Sequence, residues 1–290
     1  MFFQSLLSLL FASTLHLAYA NDASPQFDDS ILLGVSPLPI EEENAGQPAQ
    51  MSAGSILAID LKSQSILFEK DSNIKRPIAS LTKLMTAYII LEENDPNSVV
   101  NVSTNASGTG GSRMGLQAGE QITIKDLLYG LLIESGNDAS VALAEFNAGS
   151  ESEFINKMNI RANALGLNNT HYANTSGLDD ENAYSTAHDL TVLATHLLKD
   201  NTIREIVKNS SFEITSLSGQ THKLINTNIL LGESGIKGLK TGKTPNAGEC
   251  LAVIADTPDN HEILTIVLGS QNRFMDTKIL TDWIYNNFTW

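Results

Sequence analysis

The order of apolar segments along the chain restricts the fold more strongly than any other feature of the sequence. Near the start, two compact apolar runs, Ile56–Ile59 and Ile66–Phe68, flank a short polar stretch and have the pattern of a β-hairpin. Helical spacing of apolar residues then dominates the middle of the chain, and strand-like runs return in the last third. Strands at both ends with helices between them predict one discontinuous sheet domain, which carries a helical subdomain over roughly residues 90–200.

The individual elements are predicted from apolar periodicity and from the turn residues at their ends. One helix is expected to begin at or beside Ser80. The other predicted helices cover residues 124–147 (with a polar break near 135–138), 151–165, 187–198 and 273–286. The predicted strands of the last third cover residues 212–215, 222–225, 238–241, 250–255 and 263–268. The fold class is therefore α/β, of the α+β kind.

The N-terminal segment has the sequence of a secretory signal. Residues 1–20 contain no Asp, Glu, Lys or Arg, are apolar from Phe2 to about Leu17, and end in a small-x-small cleavage pattern at Ala20. We therefore expect the protein to be exported, to the periplasm or the extracellular face, with cleavage after Ala20. An uncleaved segment that tethers the protein to the membrane is the alternative.

Residues 21–52 have the composition of a flexible linker. They contain Pro25, Pro37, Pro39 and Pro48 and the acidic run 41–43, so they have little apolar surface to bury. Order is expected to begin near Ser55, and the folded domain is expected to span residues 53–288.

Composition argues against several functional classes. The formal net charge of −15 disfavours binding to nucleic acid or to an anionic membrane surface. The single cysteine, Cys250, cannot form an intramolecular disulfide and is predicted to be a small core residue, because it lies in an apolar run. None of the six histidines forms a His-x-x-x-His pattern, which disfavours a zinc peptidase, and we expect neither a metal nor a cofactor.

The pattern Ser-x-x-Lys occurs three times, at Ser72–Lys75, Ser80–Lys83 and Ser234–Lys237. Only Ser80 precedes a strongly periodic apolar helix. Residues three apart share a helix face, so the Lys83 amine can reach the Ser80 hydroxyl, and the N-terminus of the helix offers free N–H groups to a developing oxyanion. The alternative is that Ser80 is an ordinary N-cap residue.

A serine nucleophile needs a base, and a lysine acts as a base only if burial or a second cation lowers its pKa. Two further segments fit that requirement. Ser135-Gly136-Asn137 interrupts a helical pattern, so its side chains can point into a cleft, although an ordinary turn is the alternative. Lys240-Thr241-Gly242 lies on a predicted strand, where Gly242 allows close backbone approach and Lys240 and Thr241 are candidates to bind a carboxylate. The alternative for Lys240 is a protective lysine on an edge strand.

In this order, the three segments resemble the motifs of the serine penicillin-recognising enzymes. Their flanking sequences resemble the D-alanyl-D-alanine carboxypeptidases, which are low-molecular-mass penicillin-binding proteins. The segments that carry this likeness are residues 77–86, 134–139, 174–190 and 238–244, and the resemblance spans about residues 53–288. It implies a β-lactamase/transpeptidase-like fold, with a mainly antiparallel five-stranded sheet flanked by helices and an all-helical subdomain. A C-terminal β domain, common in this group, is not expected within this chain.

The resemblance also implies roles for the site residues. Ser80 would attack the bond between two D-alanines of a peptidoglycan stem peptide, Lys83 would be the general base, and Ser135 would relay the proton, assisted by Lys240. Asn137 would hold Lys83 and the substrate amide.

The remaining implied contacts bind the substrate. Lys240 and Thr241 would take the substrate carboxylate, and the backbone N–H groups of Ser80 and Lys243 would form the oxyanion hole. Arg273 is a further candidate for the carboxylate, with a position on the helix surface as the alternative. β-Lactams would acylate Ser80 as substrate mimics and act as covalent inhibitors.

Three other functions remain open at this stage. A DD-endopeptidase would cut the same kind of bond in a peptidoglycan cross-link. A class A β-lactamase would need a deacylating acid, for which residues 179–181 supply carboxylates. A non-enzymatic penicillin sensor would tolerate the loss of Lys83 or Ser135, and both are present.

Overall fold

The computed structural model describes residues 38–290. The signal segment predicted over residues 1–20 lies outside the described residues, as does the predicted linker up to residue 37. The strands, in chain order, are β1 Ile40–Glu41, β2 Ser55–Asp60, β3 Ile66–Lys70, β4 Val99–Asn101, β5 Gln121–Thr123, β6 Ser211–Thr215, β7 Thr221–Ile225, β8 Ile236–Thr244, β9 Gly248–Asp256, β10 Glu262–Ser270 and β11 Phe288–Thr289. The helices are α1 Lys83–Glu93, α2 Thr104–Ser107, α3 Ile124–Tyr129, α4 Asn137–Ala148, α5 Glu151–Ala164, α6 Ala187–Leu197, α7 Asn201–Val207 and α8 Arg273–Asn287.

Five strands form the central sheet, in the order β3-β2-β10-β9-β8, and every neighbouring pair is antiparallel. The first two come from the start of the described chain and the other three from its end, so the sheet is discontinuous in sequence. The predicted fold class, with its mainly antiparallel five-stranded sheet, is confirmed. The middle of the chain supplies α1 to α7 and two small two-stranded sheets, β4 with β5 and the hairpin β6–β7.

Both faces of the sheet are covered, which explains why its strands are apolar at nearly every position. Along β2, Leu57 and Ile59 face the core formed with the helices of the middle of the chain. Ile56 and Ala58 point the other way and pack with residues of α8, such as Leu280 and Ile284. Successive strand residues point to opposite faces, so a strand covered on both sides reads as a continuous apolar run.

The predicted onset of order near Ser55 was wrong. Ile40 and Glu41 pair with Thr289 and Phe288 as the short sheet β1–β11, and Trp283 Nε1 donates a hydrogen bond of 2.6 Å to the carbonyl of Gly46. Proline content and charge predict a flexible segment here, but backbone pairing with the end of the chain supplies the partners that the local sequence lacks.

Cys250 is buried and unpaired on β9, as predicted for a small core residue. Burial, the main cause, raises the pKa of its thiol to about 11, so it stays protonated and unreactive at neutral pH. Between residues 38 and 290, no helix combines the length and the apolar character that crossing a bilayer requires.

Candidate active site

Ser80 lies in a turn of 3₁₀-helix, Ala79–Thr82, that leads directly into α1. Ala79 has a φ of 47°, an unfavourable conformation for a residue with a side chain. The entry to the helix is therefore held by its surroundings rather than by local preference. The amine nitrogen Nζ of Lys83, the first residue of α1, lies 3.0 Å from Oγ of Ser80.

The Lys83 side chain is fully buried, and its amine has two further partners. Nζ donates to Oδ1 of Asn137 over 2.8 Å and to the main-chain carbonyl of Ser176 over 2.6 Å. The site therefore brings together side chains that are 54 residues apart and a loop carbonyl 93 residues from Lys83.

Burial lowers the pKa of Lys83 well below its ordinary value. The positive charge of Lys240 lowers it further, and the negative charge of Asp138 opposes both effects. A lysine whose charged form is disfavoured in this way loses its proton more readily than an exposed lysine, and its neutral amine can accept a proton from a hydroxyl group.

Lys240 is also buried, with 1 % of its surface exposed, on the edge strand β8. Its amine donates to the carbonyl of Thr241 over 3.1 Å. Burial, followed by the positive charge of Arg273, lowers the pKa of Lys240 to about 7. The strand is an edge strand, as the alternative interpretation required, but a protective edge lysine would point into solvent, and this one does not.

Two glycines allow backbone segments to meet at Ser80. A Cβ atom on Gly242 would lie 2.9 Å from the backbone nitrogen of Ser80. A Cβ on Gly177 would overlap the carbonyl of Ala79. Strand β8 and the loop that carries Ser176 therefore approach the nucleophile turn from two sides, at distances that only glycine permits.

Ser135 and Asn137 lie at a sharp break between two helical segments. The π-helix Gly130–Glu134 ends at Ser135, whose φ of 63° is left-handed, and α4 begins at Asn137. Nδ2 of Asn137 donates to the carbonyl of Gly110 over 2.8 Å, which fixes the amide so that Oδ1 faces Lys83. The predicted interruption near residues 135–138 is thus a π-helix followed by a left-handed residue, a combination common at functional sites.

Asp138, next in the chain, is a fully buried carboxylate that accepts four backbone N–H groups. Oδ1 accepts from Met114 and Ala139, and Oδ2 accepts from Gly115 and Leu116, at 2.9–3.1 Å. It ties the loop of residues 110–116 to the start of α4 and places a negative charge near Lys83.

The other predicted binding residues lie at the β8 end of the site. Oγ1 of Thr241 is 2.6 Å from Oγ1 of Thr227. Nη1 of Arg273 donates to the carbonyl of Gly242 over 2.6 Å, so this side chain turns toward β8 rather than lying on the outer surface of α8. The side chain of Lys243 is exposed and pairs with Glu249 over 2.8 Å.

The other two Ser-x-x-Lys copies are engaged elsewhere. The hydroxyl of Ser72 donates to Glu69, and the amine of Lys75 lies over the ring of Tyr184. Lys237 pairs with Asp256 on β9 and with Glu262 on β10. Of the three copies, only Ser80–Lys83 joins its serine to a buried amine.

Several groups at the site were missed by sequence reasoning. The carbonyl of Ser176 has no side-chain signature, although residues 174–190 were singled out by their family resemblance. Asp138 follows the predicted motif directly, but its sequence position alone indicates no function, and Thr227 lies outside every predicted element. Within residues 38–290, no three His, Cys, Asp or Glu side chains gather as metal ligands would.

A serine hydroxyl beside a buried amine of lowered pKa, with a second buried cation and converging backbone segments, is an arrangement for acyl transfer through a serine ester. Comparison with known proteins identifies the class. Residues 41–272 match the family model for D-alanyl-D-alanine carboxypeptidase, peptidase family S11. The chain belongs to this family.

Individual relatives agree with that assignment. D-alanyl-D-alanine carboxypeptidase DacF of Bacillus subtilis is 36% identical over 248 residues, covering 83% of this chain and 64% of that protein. D-alanyl-D-alanine carboxypeptidase DacA of Escherichia coli is 34% identical over 256 residues, covering 82% and 62%. The chain thus spans a little under two thirds of the length of these relatives. The crystal structure of the Streptomyces K15 DD-transpeptidase superposes with a TM-score of 0.78 at 30% identity, covering 83% of this chain and 100% of that one.

Proposed function

We propose that this protein is a serine-type D-alanyl-D-alanine carboxypeptidase that trims peptidoglycan stem peptides through an acyl-enzyme on Ser80. The observation that carries the proposal is the buried amine of Lys83, 3.0 Å from the Ser80 hydroxyl and of strongly lowered pKa. Membership of the D-alanyl-D-alanine carboxypeptidase family supplies the class of substrate.

In the proposed acylation, the neutral amine of Lys83 takes the proton of the Ser80 hydroxyl as Oγ attacks the carbonyl of the penultimate D-alanine. The tetrahedral intermediate collapses, the C–N bond breaks, and the departing amine of the terminal D-alanine receives a proton through Ser135. Water then attacks the ester, giving the shortened peptide and restoring the Ser80 hydroxyl. While Lys240 is protonated, its charge favours the unprotonated form of Lys83, which is the form that accepts the Ser80 proton.

Substrate binding is proposed to follow the charges of the site. The terminal carboxylate lies toward Lys240, Thr241 and Arg273, where two cations converge. The oxyanion lies between the backbone N–H groups of Ser80 and Lys243, a location supported by the close approach of β8 to Ser80 at Gly242. Asn137 holds the substrate amide as well as Lys83. The reaction needs no metal or cofactor.

The first test is covalent labelling. The protein is incubated with benzylpenicillin, and intact-mass and peptide mass spectrometry locate any adduct. We expect one adduct, on the peptide that contains Ser80, and none in a Ser80→Ala variant. The same experiment with nitrocefin addresses the β-lactamase alternative, since rapid multiple turnover would contradict the peptidase proposal.

The second test separates carboxypeptidase from endopeptidase. Purified protein is incubated separately with a stem pentapeptide and with a cross-linked dimer, and the products are resolved by chromatography. We expect free D-alanine from the pentapeptide. Cleavage of the dimer alone would establish the endopeptidase alternative, in which the leaving group is the amine of a cross-link.

We also propose that the protein is exported to the periplasm or the extracellular face. The support is the uncharged apolar segment 1–20 with its small-x-small end at Ala20. N-terminal sequencing of protein recovered from the native compartment is expected to begin at Asn21. A retained Met1 in a membrane fraction would favour the tethered alternative.

A further inference from the structure

A buried pair of polar side chains, Glu120 and His222, lies beside the loop of residues 110–116. His222 is on β7, Glu120 immediately precedes β5, and they are 5 % and 3 % exposed. Nε2 of His222 lies 2.7 Å from Oε1 of Glu120. Nδ1 of His222 lies 3.1 Å from the main-chain carbonyl of Met114, and because a carbonyl oxygen only accepts, Nδ1 carries a proton in this contact.

Both backbone polar groups of Met114 are therefore hydrogen-bonded to buried side chains. Its N–H donates to Asp138 over 3.0 Å, while its carbonyl accepts from His222. The other oxygen of Glu120 accepts the N–H of Gln117, the residue that directly follows this loop, over 3.0 Å. Met114 also packs against Gly130, where an added Cβ would overlap the methionine side chain.

The same loop reaches the reacting groups. The carbonyl of Gly110 accepts Nδ2 of Asn137 over 2.8 Å, and the carbonyl of Ser112 accepts the backbone N–H of Asn137 over 2.7 Å. Asn137 presents Oδ1 to Lys83 because Nδ2 is occupied by Gly110. The position of the loop therefore determines whether the Asn137 side chain presents Oδ1 to Lys83.

We propose that His222, fixed in place by Glu120, is a positioning residue for the reaction at Ser80. It holds the Met114 carbonyl, and through the loop of residues 110–116 it fixes the orientation of the Asn137 amide that Lys83 requires. The hydrogen bonds of His222 go to Met114 and Glu120, so its effect passes through the loop. The inference rests on the proposed acyl-enzyme function and adds a residue to it.

Two substitutions separate positioning from simple packing. In His222→Asn, the new amide nitrogen lies near the place of Nδ1 and can still donate to Met114. In His222→Gln, the amide nitrogen lies near the place of Nε2, so the contact with Glu120 is kept and the donor to Met114 is lost. The rate constant for acylation of Ser80 by benzylpenicillin is measured by intact mass on the full chain, together with the melting temperature.

We expect His222→Gln to slow acylation by about tenfold, and His222→Asn to stay within about threefold of the wild type, because small misplacements of catalytic groups have effects of this order. The matched control is His188→Asn, which replaces a histidine whose side chain is 53 % exposed and is expected to change nothing. Ile284→Val, in the core on the other face of the sheet, supplies a variant that loses stability without touching the loop.

A second measurement does not depend on acylation. Hydrogen exchange of the Met114 and Asn137 backbone amides is expected to accelerate in His222→Gln but not in His222→Asn or Ile284→Val. If His222→Gln has the acylation and exchange rates of the wild type, the inference is overturned. It is also overturned if His222→Asn and His222→Gln slow acylation equally and in proportion to their loss of melting temperature. A wild-type protein that no β-lactam labels would contradict the proposed function instead, while the exchange measurement still decides whether His222 positions the loop.

Discussion

The main-chain carbonyl of Ser176 and the amine of Lys83 are joined by a hydrogen bond of 2.6 Å. This carbonyl and Oδ1 of Asn137 are both groups that only accept. A neutral amine has two hydrogens and one lone pair. If Lys83 is neutral, its hydrogens go to Ser176 and Asn137, and its lone pair points at the Ser80 hydroxyl. The loop carbonyl thus helps to make the lysine a base aimed at the serine.

The charge of Lys240 is expected to control the pH at which Lys83 becomes active. A nearby positive charge disfavours protonated Lys83, so Lys240→Met should raise the pKa of Lys83. The fall of the acylation rate on the acidic side of its pH profile (the acid limb) then moves to higher pH. Rates of β-lactam labelling measured as a function of pH would show this shift. Lys243→Met, at an exposed lysine on the same strand, is the control. An acid limb that stays in place would show that the two amines do not interact.

Replacing Asp138 is expected to move the same limb in the opposite direction. Its negative charge raises the pKa of Lys83, so Asp138→Asn should lower that pKa and shift the limb to lower pH. The amide can accept with only one of its two polar atoms, so two of the four N–H groups lose their acceptor. The free energy of unfolding should fall by about 1–3 kcal/mol, which urea denaturation would detect. Unchanged stability would contradict the role assigned to this carboxylate.

The carboxylate affinity of the site is expected to fall as pH rises through about 7. The pKa of Lys240 is about 7, so its positive charge is complete below that pH and is lost above it. The KM for a stem pentapeptide should therefore rise on the alkaline side. Arg273→Leu removes a like charge and so raises the pKa of Lys240, which should move the rise in KM to higher pH. The loss of this cation also weakens binding of the carboxylate at every pH. A KM independent of pH between about 6 and 9 would exclude Lys240 as a titrating carboxylate ligand.

Substituting two glycines should distinguish a glycine needed for close contact with Ser80 from a glycine needed only for its backbone conformation. Gly242→Ala places a Cβ 2.9 Å from the Ser80 nitrogen and is expected to slow acylation by at least about tenfold, because the nucleophile turn must shift. Gly219→Ala has a φ of +82° but open space around its Cβ, so it should cost about 1 kcal/mol of stability and leave acylation unchanged. Labelling rates and melting temperatures measured side by side would test the contrast.

Much of the architecture follows from local sequence. Apolar runs with turn residues at their ends predicted β9 and β10 to within two residues, and Thr257-Pro258-Asp259-Asn260 marks the turn between them. The apolar helix after Ser80 selected that serine among three copies of the same pattern. Residues that act through their side chains, at a fixed spacing from one another in the sequence, can be predicted in this way.

The rest depends on contacts that have no local signature. Strands β4 and β5 have three residues each, too few for an alternation to be recognised, and they form because they pair with each other. The carbonyl of Ser176 reaches Lys83 only through the loop that contains Gly177, and any residue type has a carbonyl. The pairing of Ile40–Glu41 with the end of the chain is likewise a tertiary contact, which composition alone predicts wrongly.

The discontinuity of the site in the sequence makes the reactivity of Ser80 a folding probe. The nucleophile turn, the start of α4, the Ser176 loop and strand β8 must all be in place before Lys83 is both buried and aligned. A partly folded state in which one of these segments has not docked cannot contain the complete active site. A pulse of β-lactam during refolding would therefore count only molecules in which the last segment has docked. The labelled fraction at each time would trace completion of the native state, which secondary-structure signals cannot distinguish from earlier collapse.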